Sequence, residues 1–189
     1  AGKSSFLDID GAMSYSMVWC NGRFVGGWPY GYASYRLDLT PYLRPGQTNL
    51  LAIRLDNPVP KDANWQSGSS RWYPGAGIYR NVWLEKAGRV RVGQWGTFVT
   101  TPEVSAAAAR IQMKVSVAND SPREARVRVA TEVFEIDVQD RRRGAAVLSI
   151  GPVLVRVPAG KSAAARADGP LRHPKLGGAG GEQKPTRYL

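Results

Sequence analysis

The residues best suited to ligand chemistry lie in one stretch, residues 67–80. Trp72 and Tyr73 precede a turn rich in proline and glycine there, and Arg71 and Arg80 lie on either side of it. Aromatic side chains on a loop can stack against a flat ligand face, and a guanidinium can bind a carboxylate through two parallel hydrogen bonds. The stretch therefore indicates either a corner that closes a hydrophobic core or one wall of a sugar pocket.

Side chains able to transfer protons or attack a substrate are few. His173, the only histidine, lies in a proline-rich loop, which predicts a solvent-exposed position. Asp8 and Asp10 share one face of an extended segment, but a glycosidase holds its two carboxyl groups on rigid elements across a cleft. A surface strand is the better interpretation of these aspartates. We predict no catalytic residue, no metal site and no cofactor within this sequence.

The overall composition argues against several classes of protein. The hydrophobic fraction of 43% fits a soluble globular protein, and no window approaches 18 consecutive apolar residues, so no membrane partner is predicted. Cys20 is the only cysteine, which excludes an internal disulfide and favours a buried apolar role. The net charge of +11 permits nucleic-acid binding, but most of the positive charge lies after Trp95, whereas all six tryptophans lie at or before it. The basic half therefore lacks the tryptophans on which bases could stack, and no nucleic-acid partner is predicted.

The elements that must position these residues are strands. Apolar side chains alternate with polar ones before and after Asn21-Gly22, a pair typical of a two-residue hairpin turn. The return strand is expected to break over Gly26-Gly27-Trp28-Pro29. Tyr35, Leu37 and Leu39 alternate in a later strand, a single helical turn is predicted near Thr40-Pro41, and another strand is predicted over residues 78–84.

The second half of the chain has shorter alternating runs. Ile111, Met113, Val115 and Val117 share one face, whereas the parity of the pattern switches near Val133-Phe134, which predicts a bulge, a bend or a change of sheet. Residues 169–185 are expected to wrap the surface, with residues 186–189 returning as a short strand. We predict an all-β protein of two tandem β-sandwiches, residues 1–87 and 88–189, the second with immunoglobulin-like strand spacing.

The order and spacing of several motifs resemble a known enzyme family. The motifs are Asp10-Gly11, Val18 to Gly22, Gly31-Tyr32, Asp38 to Thr40, Asp56-Asn57 and Arg71 to Arg80, followed by Trp95-Gly96, Thr100 to Pro102, Asn119 and Pro174 to Leu176. This series resembles the N-terminal part of glycoside hydrolase family 2, in its β-galactosidase branch. The resemblance implies a galactose-binding-like jelly-roll domain that lacks its opening strands, then an immunoglobulin-like domain. Gly177 replaces the tryptophan that usually follows the last motif.

The resemblance also implies what the chain does. Family members hydrolyse terminal β-linked sugars with retention, using two glutamates on a (β/α)8 barrel that follows the sandwiches. We therefore expect a non-catalytic fragment of a β-galactosidase-like enzyme of carbohydrate metabolism, inactive alone, whose partners are the barrel of the same polypeptide and a β-galactoside. Sugar-binding or barrel-facing residues are expected to be Arg71, Trp72, Tyr73 and the weaker candidate Asn57. Asp56 and Arg80 are assigned to a structural pair, and Gly77 to the structural motif.

Other functions stay open at this point. A freestanding carbohydrate-binding module would use Trp65, Trp72 and Tyr73 as a stacking platform. Within the family, a β-glucuronidase or a β-mannosidase is the nearer rival. A nucleic-acid binder would show affinity that falls steeply with salt. The protein is expected to be soluble, and the sequence does not distinguish the cytoplasm from the periplasm.

Overall fold

The computed structural model describes residues 2–56, 75–177 and 186–189, and their regular secondary structure is β-strand with one 3-10 turn at Thr40–Tyr42. The chain divides into two units, Ala1–Gly88 and Arg89–Leu189. The predicted all-β architecture of tandem β-sandwiches is confirmed, as is the helical turn near Thr40. In the part of the chain that is described, no helix has the length and apolar character needed to cross a bilayer.

The described residues of the first unit form two three-stranded sheets and one two-stranded sheet, all antiparallel. Its strands are β1 (Lys3–Ile9), β2 (Ala12–Met13), β3 (Ser16–Cys20), β4 (Arg23–Trp28), β5 (Tyr35–Asp38), β6 (Leu51–Arg54), β7 (Gly77–Ile78) and β8 (Val82–Gly88). The sheet orders are β5-β1-β8, β4-β3-β6 and β2-β7. Leu7 and Ile9 of β1 pack with Val18 and Cys20 of β3 in one core, so the predicted buried role of Cys20 is confirmed.

The hairpin between β3 and β4 follows its local sequence. Asn21 and Gly22 form the predicted two-residue turn, with φ angles of +52° and +78°. Both angles lie in the left-handed region that a type I′ turn requires and that Asn and Gly tolerate. The Asn21 Nδ2 atom also donates a hydrogen bond to the carbonyl oxygen of Tyr42 at 2.9 Å, which ties the hairpin to the 3-10 turn.

The strand break expected over Gly26 to Pro29 is wrong for the two glycines, because β4 continues through both of them and ends at Trp28. Met17 of β3 lies opposite Gly27, and a Cβ atom at Gly27 would overlap the carbonyl oxygen of Ser16. Glycine in a strand interior often marks such a close approach of two backbones. Here it permits pairing rather than ending the strand.

The outer face of the β5-β1-β8 sheet carries a charge cluster. The Arg36 guanidinium donates two hydrogen bonds of 2.7 Å to the Asp8 carboxylate and also pairs with Glu85. It lies 4.9 Å from the centre of the Phe6 ring. Asp8 was expected on a surface strand, but β1 is the central strand of its sheet, and the Asp8 side chain is only 16% exposed. The carboxylate is therefore held by an ion pair, and the pKa of Arg36 is raised chiefly by its hydrogen bond to Asp8.

The second unit has two three-stranded sheets. Its strands are β9 (Val90–Val104), β10 (Ala108–Asn119), β11 (Ala125–Ile136), β12 (Arg142–Val157), β13 (Lys161–Arg172) and β14 (Arg187–Tyr188). The sheet orders are β13-β10-β9 and β12-β11-β14. Val115 and Val117 of β10 pack with Val157 of β12 and Ala165 of β13, so side chains from both sheets form one core.

The irregularities of this unit test the sequence predictions directly. The register of β11 against β12 shifts between Val133 and Glu135, which confirms the irregularity predicted from the parity switch. The strand stub at the chain end is present as β14, and His173 is exposed as predicted.

The expected surface wrap from residue 169 is wrong for its first residues, because β13 continues to Arg172 along β10. The strand expected over residues 78–84 is also interrupted, since β7 ends at Ile78 and β8 begins at Val82.

Candidate functional site

The candidate site of the first unit is a corner at β2, where the chain enters and leaves residues 57–74. Asp56 donates its backbone N–H to the carbonyl oxygen of Ser14 at 2.9 Å, and the Ser14 hydroxyl donates to the Asp56 carbonyl at 2.9 Å. Beyond residue 74, Gly77 of β7 pairs with Met13 of β2. Two consecutive residues, Met13 and Ser14, therefore hold Gly77 and Asp56 in one corner.

The sequence-predicted site residues divide between two groups. Asn57, Arg71, Trp72 and Tyr73 lie outside the described residues, as does Trp65 of the alternative stacking platform. Asp56, Gly77 and Arg80 are described, and the structure brings the first two to the β2 corner. Gly77 has a φ of +106°, a conformation that L side chains rarely adopt, which explains why glycine stands there.

The predicted pair between Asp56 and Arg80 is not formed among the described residues. The Asp56 carboxylate lies 3.5 Å from Arg54 Nη2, and both side chains are at least half exposed. Exposed pairs of this kind contribute little to stability. The structural role of Asp56 therefore rests on its backbone hydrogen bonds to Ser14. Its carboxylate lies near Arg54, two residues earlier in the chain, rather than near Arg80.

A tyrosine cluster borders the corner, and the sequence patterns did not single it out as a site. The ring centres of Tyr30 and Tyr32 are 5.8 Å apart, and those of Tyr32 and Tyr79 are 6.2 Å apart, both in edge-to-face geometry. The Tyr79 hydroxyl donates a hydrogen bond of 2.8 Å to the carbonyl oxygen of Gly31. The available signal was a tyrosine within two residues of a glycine in two motifs, Gly31-Tyr32 and Gly77 to Tyr79, whose tyrosines are 47 residues apart in the sequence.

Two glycines make room for this cluster. A Cβ atom at Gly11 would lie 2.7 Å from Tyr79 Cζ and 2.8 Å from Arg80 Cδ. A Cβ atom at Gly31 would overlap the thioether of Met13 and lie 3.2 Å from its Cα. Both motif glycines are thus explained by close approach of neighbouring chain segments.

The polar groups around the cluster are suited to binding rather than to acid–base chemistry. The indole Nε1 of Trp83 donates to Asp10 Oδ2 at 2.9 Å. Asp8 and Glu85, the carboxylates on the neighbouring sheet face, share the Arg36 guanidinium and do not face each other across a cleft. No group of His, Cys, Asp and Glu within the described ranges could hold a metal ion. Aromatic edges, hydroxyls and one aspartate are groups that contact sugars.

Tyr79 provides a test of the corner that depends on pH. Burial raises the pKa of Tyr79, and the positive charge of Arg80 opposes the rise. A raised pKa means that the fold prefers the neutral hydroxyl, so its stabilisation is complete below about pH 10 and is lost as the pH rises through the folded-state value. We expect Tyr79→Phe to lower the free energy of unfolding by about 0.5–1 kcal/mol at pH 7, because the Gly31 carbonyl loses its donor.

The measurement is urea unfolding of both proteins between pH 7 and pH 11. The difference between Tyr79→Phe and the parent should shrink above pH 10, where the parent loses its own stabilisation. Tyr42→Phe is the matched control, because the recorded hydrogen bonds of Tyr42 involve its backbone and not its hydroxyl. Identical pH profiles for the two variants would contradict the assigned role of Tyr79.

The comparisons with known proteins agree on one group of enzymes. No protein-family model matches the chain. It is 42% identical over 137 residues to a β-galactosidase of Bacteroides ovatus, a match that covers 72% of this chain and 15% of that protein. A solved structure of a glycosyl hydrolase family 2 member from Bacteroides cellulosilyticus aligns with a TM-score of 0.76 and 29% identity, covering 93% of this chain and 21% of that one. A β-glucuronidase structure from Bacteroides uniformis aligns with a TM-score of 0.80 and 26% identity, covering 93% and 20%.

The matched share of each relative limits which conclusions about function the comparisons support. The chain spans between 15% and 21% of the length of the three proteins, so their activities belong to molecules several times larger. Both β-galactosidases and β-glucuronidases occur among the matches, so the comparisons do not distinguish these two branches. The relatives and structural neighbours of this chain are glycoside hydrolase family 2 proteins, β-galactosidases and β-glucuronidases among them, each matched over part of its length, as the motif resemblance predicts.

Proposed function

We propose that this chain forms the two non-catalytic N-terminal domains of a retaining family 2 β-galactosidase. The first unit is its galactose-binding-like jelly-roll domain, and the second is its immunoglobulin-like domain. The catalytic (β/α)8 barrel of the same polypeptide carries the two glutamates that cleave a terminal β-D-galactoside. The single observation that carries the proposal is the 42% identity to the Bacteroides ovatus β-galactosidase over 137 residues.

The arrangement of the described residues supports a framing role rather than catalysis. Among them, the partly buried carboxylate of Asp8 pairs with Arg36, the Asp10 carboxylate accepts a hydrogen bond from the Trp83 indole, and the other site groups are aromatic rings, hydroxyls and backbone amides. Such groups hold a neighbouring segment or a sugar in place but supply no acid and nucleophile. We propose that Arg71, Trp72, Tyr73 and Asn57, in the segment anchored by the β2 corner, contact the sugar or the barrel.

The test uses the coding frame that contains these residues. We expect it to continue past Leu189 into a barrel with two essential glutamates, and the whole product to hydrolyse p-nitrophenyl β-D-galactoside with retention of configuration. Replacing either glutamate by glutamine should abolish turnover, and the 189-residue chain alone should show none. A stop codon directly after Leu189 would contradict the proposal, as would sustained hydrolysis by the isolated chain that disappears in an Arg71→Ala variant.

A β-glucuronidase is the second candidate, because the Bacteroides uniformis β-glucuronidase aligns over 93% of this chain. The whole product would then hydrolyse p-nitrophenyl β-D-glucuronide in preference to the galactoside. The freestanding carbohydrate-binding module is tested separately by calorimetric titration of the isolated chain with lactose. Saturable binding combined with a stop codon after Leu189 would favour that module over the enzyme domain.

A further inference from the structure

An open groove lies on the outer face of the β9-β10-β13 sheet, wholly within the second unit. Its volume is about 640 Å³, and the side chains that line it include Trp95, Phe98, Gln112, Lys114, Arg166 and Asp168. We propose that this groove binds an acidic oligosaccharide, one whose sugars carry carboxylate or sulfate groups. The proposal goes beyond the β-galactosidase function and is independent of it, because every residue of the groove belongs to this unit.

The first observation is a bulge that presents an aromatic side chain. Thr97 of β9 pairs with Val115, but the next registered pair joins Val92 to Val117, so residues 93–96 of β9 lie opposite the single residue Ser116 of β10. Bulges of this kind re-aim side chains out of the strand pattern. Trp95 lies in the bulge with a φ of +47°, a conformation rare for a bulky residue, and its side chain is 77% exposed.

The bulge is constrained by its glycine and completed by a second ring. A Cβ atom at Gly96 would lie 2.7 Å from the carbonyl oxygen of Gly93 and 2.9 Å from that of Ser116, so the tight backbone requires glycine. Phe98, which follows the bulge and pairs with Lys114, is 63% exposed. Two large aromatic side chains thus line one groove in water, where neither helps to form a core.

The second observation is an uncompensated positive charge. Lys114 of β10 lies directly opposite Arg166 of β13 in the sheet register. Like charges in that position destabilise a pair of strands. Neither side chain has an ion-pair partner among the described residues, whereas Asp168, in the next row, accepts hydrogen bonds of 3.0 and 3.1 Å from Arg110. Asp168, the one carboxylate among the described residues that line the groove, is therefore already paired with Arg110, which also lies 3.6 Å from Glu103.

These features together define the ligand chemistry. The C–H face of a pyranose ring can stack on the negative face of an indole or a phenyl ring. Two adjacent cations favour an anion in the same ligand, and a guanidinium binds carboxylate or sulfate oxygens through a fork of two donors. The Gln112 amide, beside them on β10, can bond sugar hydroxyls. A neutral glycan would use the rings but leave both cations unpaired.

The experiment is calorimetric titration of the whole 189-residue chain at 0.15 M salt. The probes are tetragalacturonate for carboxylate, a sulfated galactan tetrasaccharide for sulfate, and neutral β-1,4-galactotetraose. We expect saturable binding of at least one acidic probe, at least about tenfold tighter than the neutral one. The acidic probe that binds more tightly shows whether the groove prefers carboxylate or sulfate groups. An oligonucleotide of ten thymidines is titrated in parallel.

Three variants localise the binding. Trp95→Ala, and the double variant Lys114→Gln with Arg166→Gln, should each weaken it at least about tenfold. Arg128→Gln is the matched charge control, because Arg128 is an exposed arginine on β11 of the other sheet. The Arg128→Gln substitution should change the affinity for the acidic probe by less than about twofold.

Five results would overturn the proposal: no saturable binding of either acidic probe, equal binding of the neutral probe, retained affinity in the double variant, an equal loss in Arg128→Gln, or tighter binding of the oligonucleotide. Thermal unfolding of each variant is recorded alongside. The two charge variants alter only surface side chains, so their test does not depend on the Trp95 substitution. If Trp95→Ala is unfolded, retained affinity in the double variant is by itself sufficient to reject the site.

Discussion

Gly27→Ala is expected to lower the free energy of unfolding of the first unit by about 3 kcal/mol. The added Cβ atom would overlap the Ser16 carbonyl oxygen and lie 3.0 Å from the Ser16 carbonyl carbon and 3.1 Å from Met17 Cα. These are backbone atoms of the paired strand β3, so no side-chain rotation relieves the overlap. The strands must separate locally, which weakens the hairpin and the core that it covers.

The measurement is urea unfolding followed by tryptophan fluorescence. Five of the six tryptophans belong to the first unit, so the fluorescence change reports mainly that unit. Gly75→Ala is the control, because a Cβ atom there meets nothing within 4 Å and its φ is not in the left-handed region. We expect that control to be neutral or slightly stabilising. Equal unfolding midpoints for Gly27→Ala and Gly75→Ala would show that β4 does not approach β3 as described.

Asn119→Ala is expected to destabilise the second unit by about 3 kcal/mol or more. The fully buried Asn119 amide donates to the carbonyl oxygens of Arg123 at 2.8 Å, Val157 at 2.9 Å and Pro158 at 3.3 Å. Its side-chain oxygen accepts from the backbone and hydroxyl of Ser121 at 2.9 and 2.6 Å. One side chain therefore joins the end of β10 to the connections that lead into β11 and out of β12.

Two further variants separate this network from simple loss of volume. Asn119→Asp keeps the shape but loses the amide donor and adds a buried charge, so we expect it to destabilise at least as much as Asn119→Ala. Ser121→Ala removes only one hydroxyl of the network and should lower stability by about 1 kcal/mol. Calorimetric unfolding of the three variants gives these values. A wild-type-like midpoint for Asn119→Asp would contradict the donor role of Asn119.

Features that depend on a few neighbouring residues could be predicted without the structure. Asn21-Gly22 specifies its turn because both residues tolerate positive φ, and the alternation from Ile111 to Val117 specifies which face of β10 is buried. The parity switch at Val133-Phe134 located an irregularity to within two residues, because a strand period of two cannot change phase without one. All of these are properties of a few consecutive residues.

Contacts between residues that are distant in the sequence became visible only in the folded protein. Three sets of contacts join segments that are at least 28 residues apart. They are the pairing of Arg36 with Asp8 and Glu85, the hydrogen bonds between Asp56 and Ser14 in place of the predicted pair with Arg80, and the tyrosine cluster. The same holds for the groove, where a bulge in β9 sets Trp95 beside cations from β10 and β13. Strand register and close backbone approach set these contacts. Because both depend on how whole sheets pair, no local pattern encodes them.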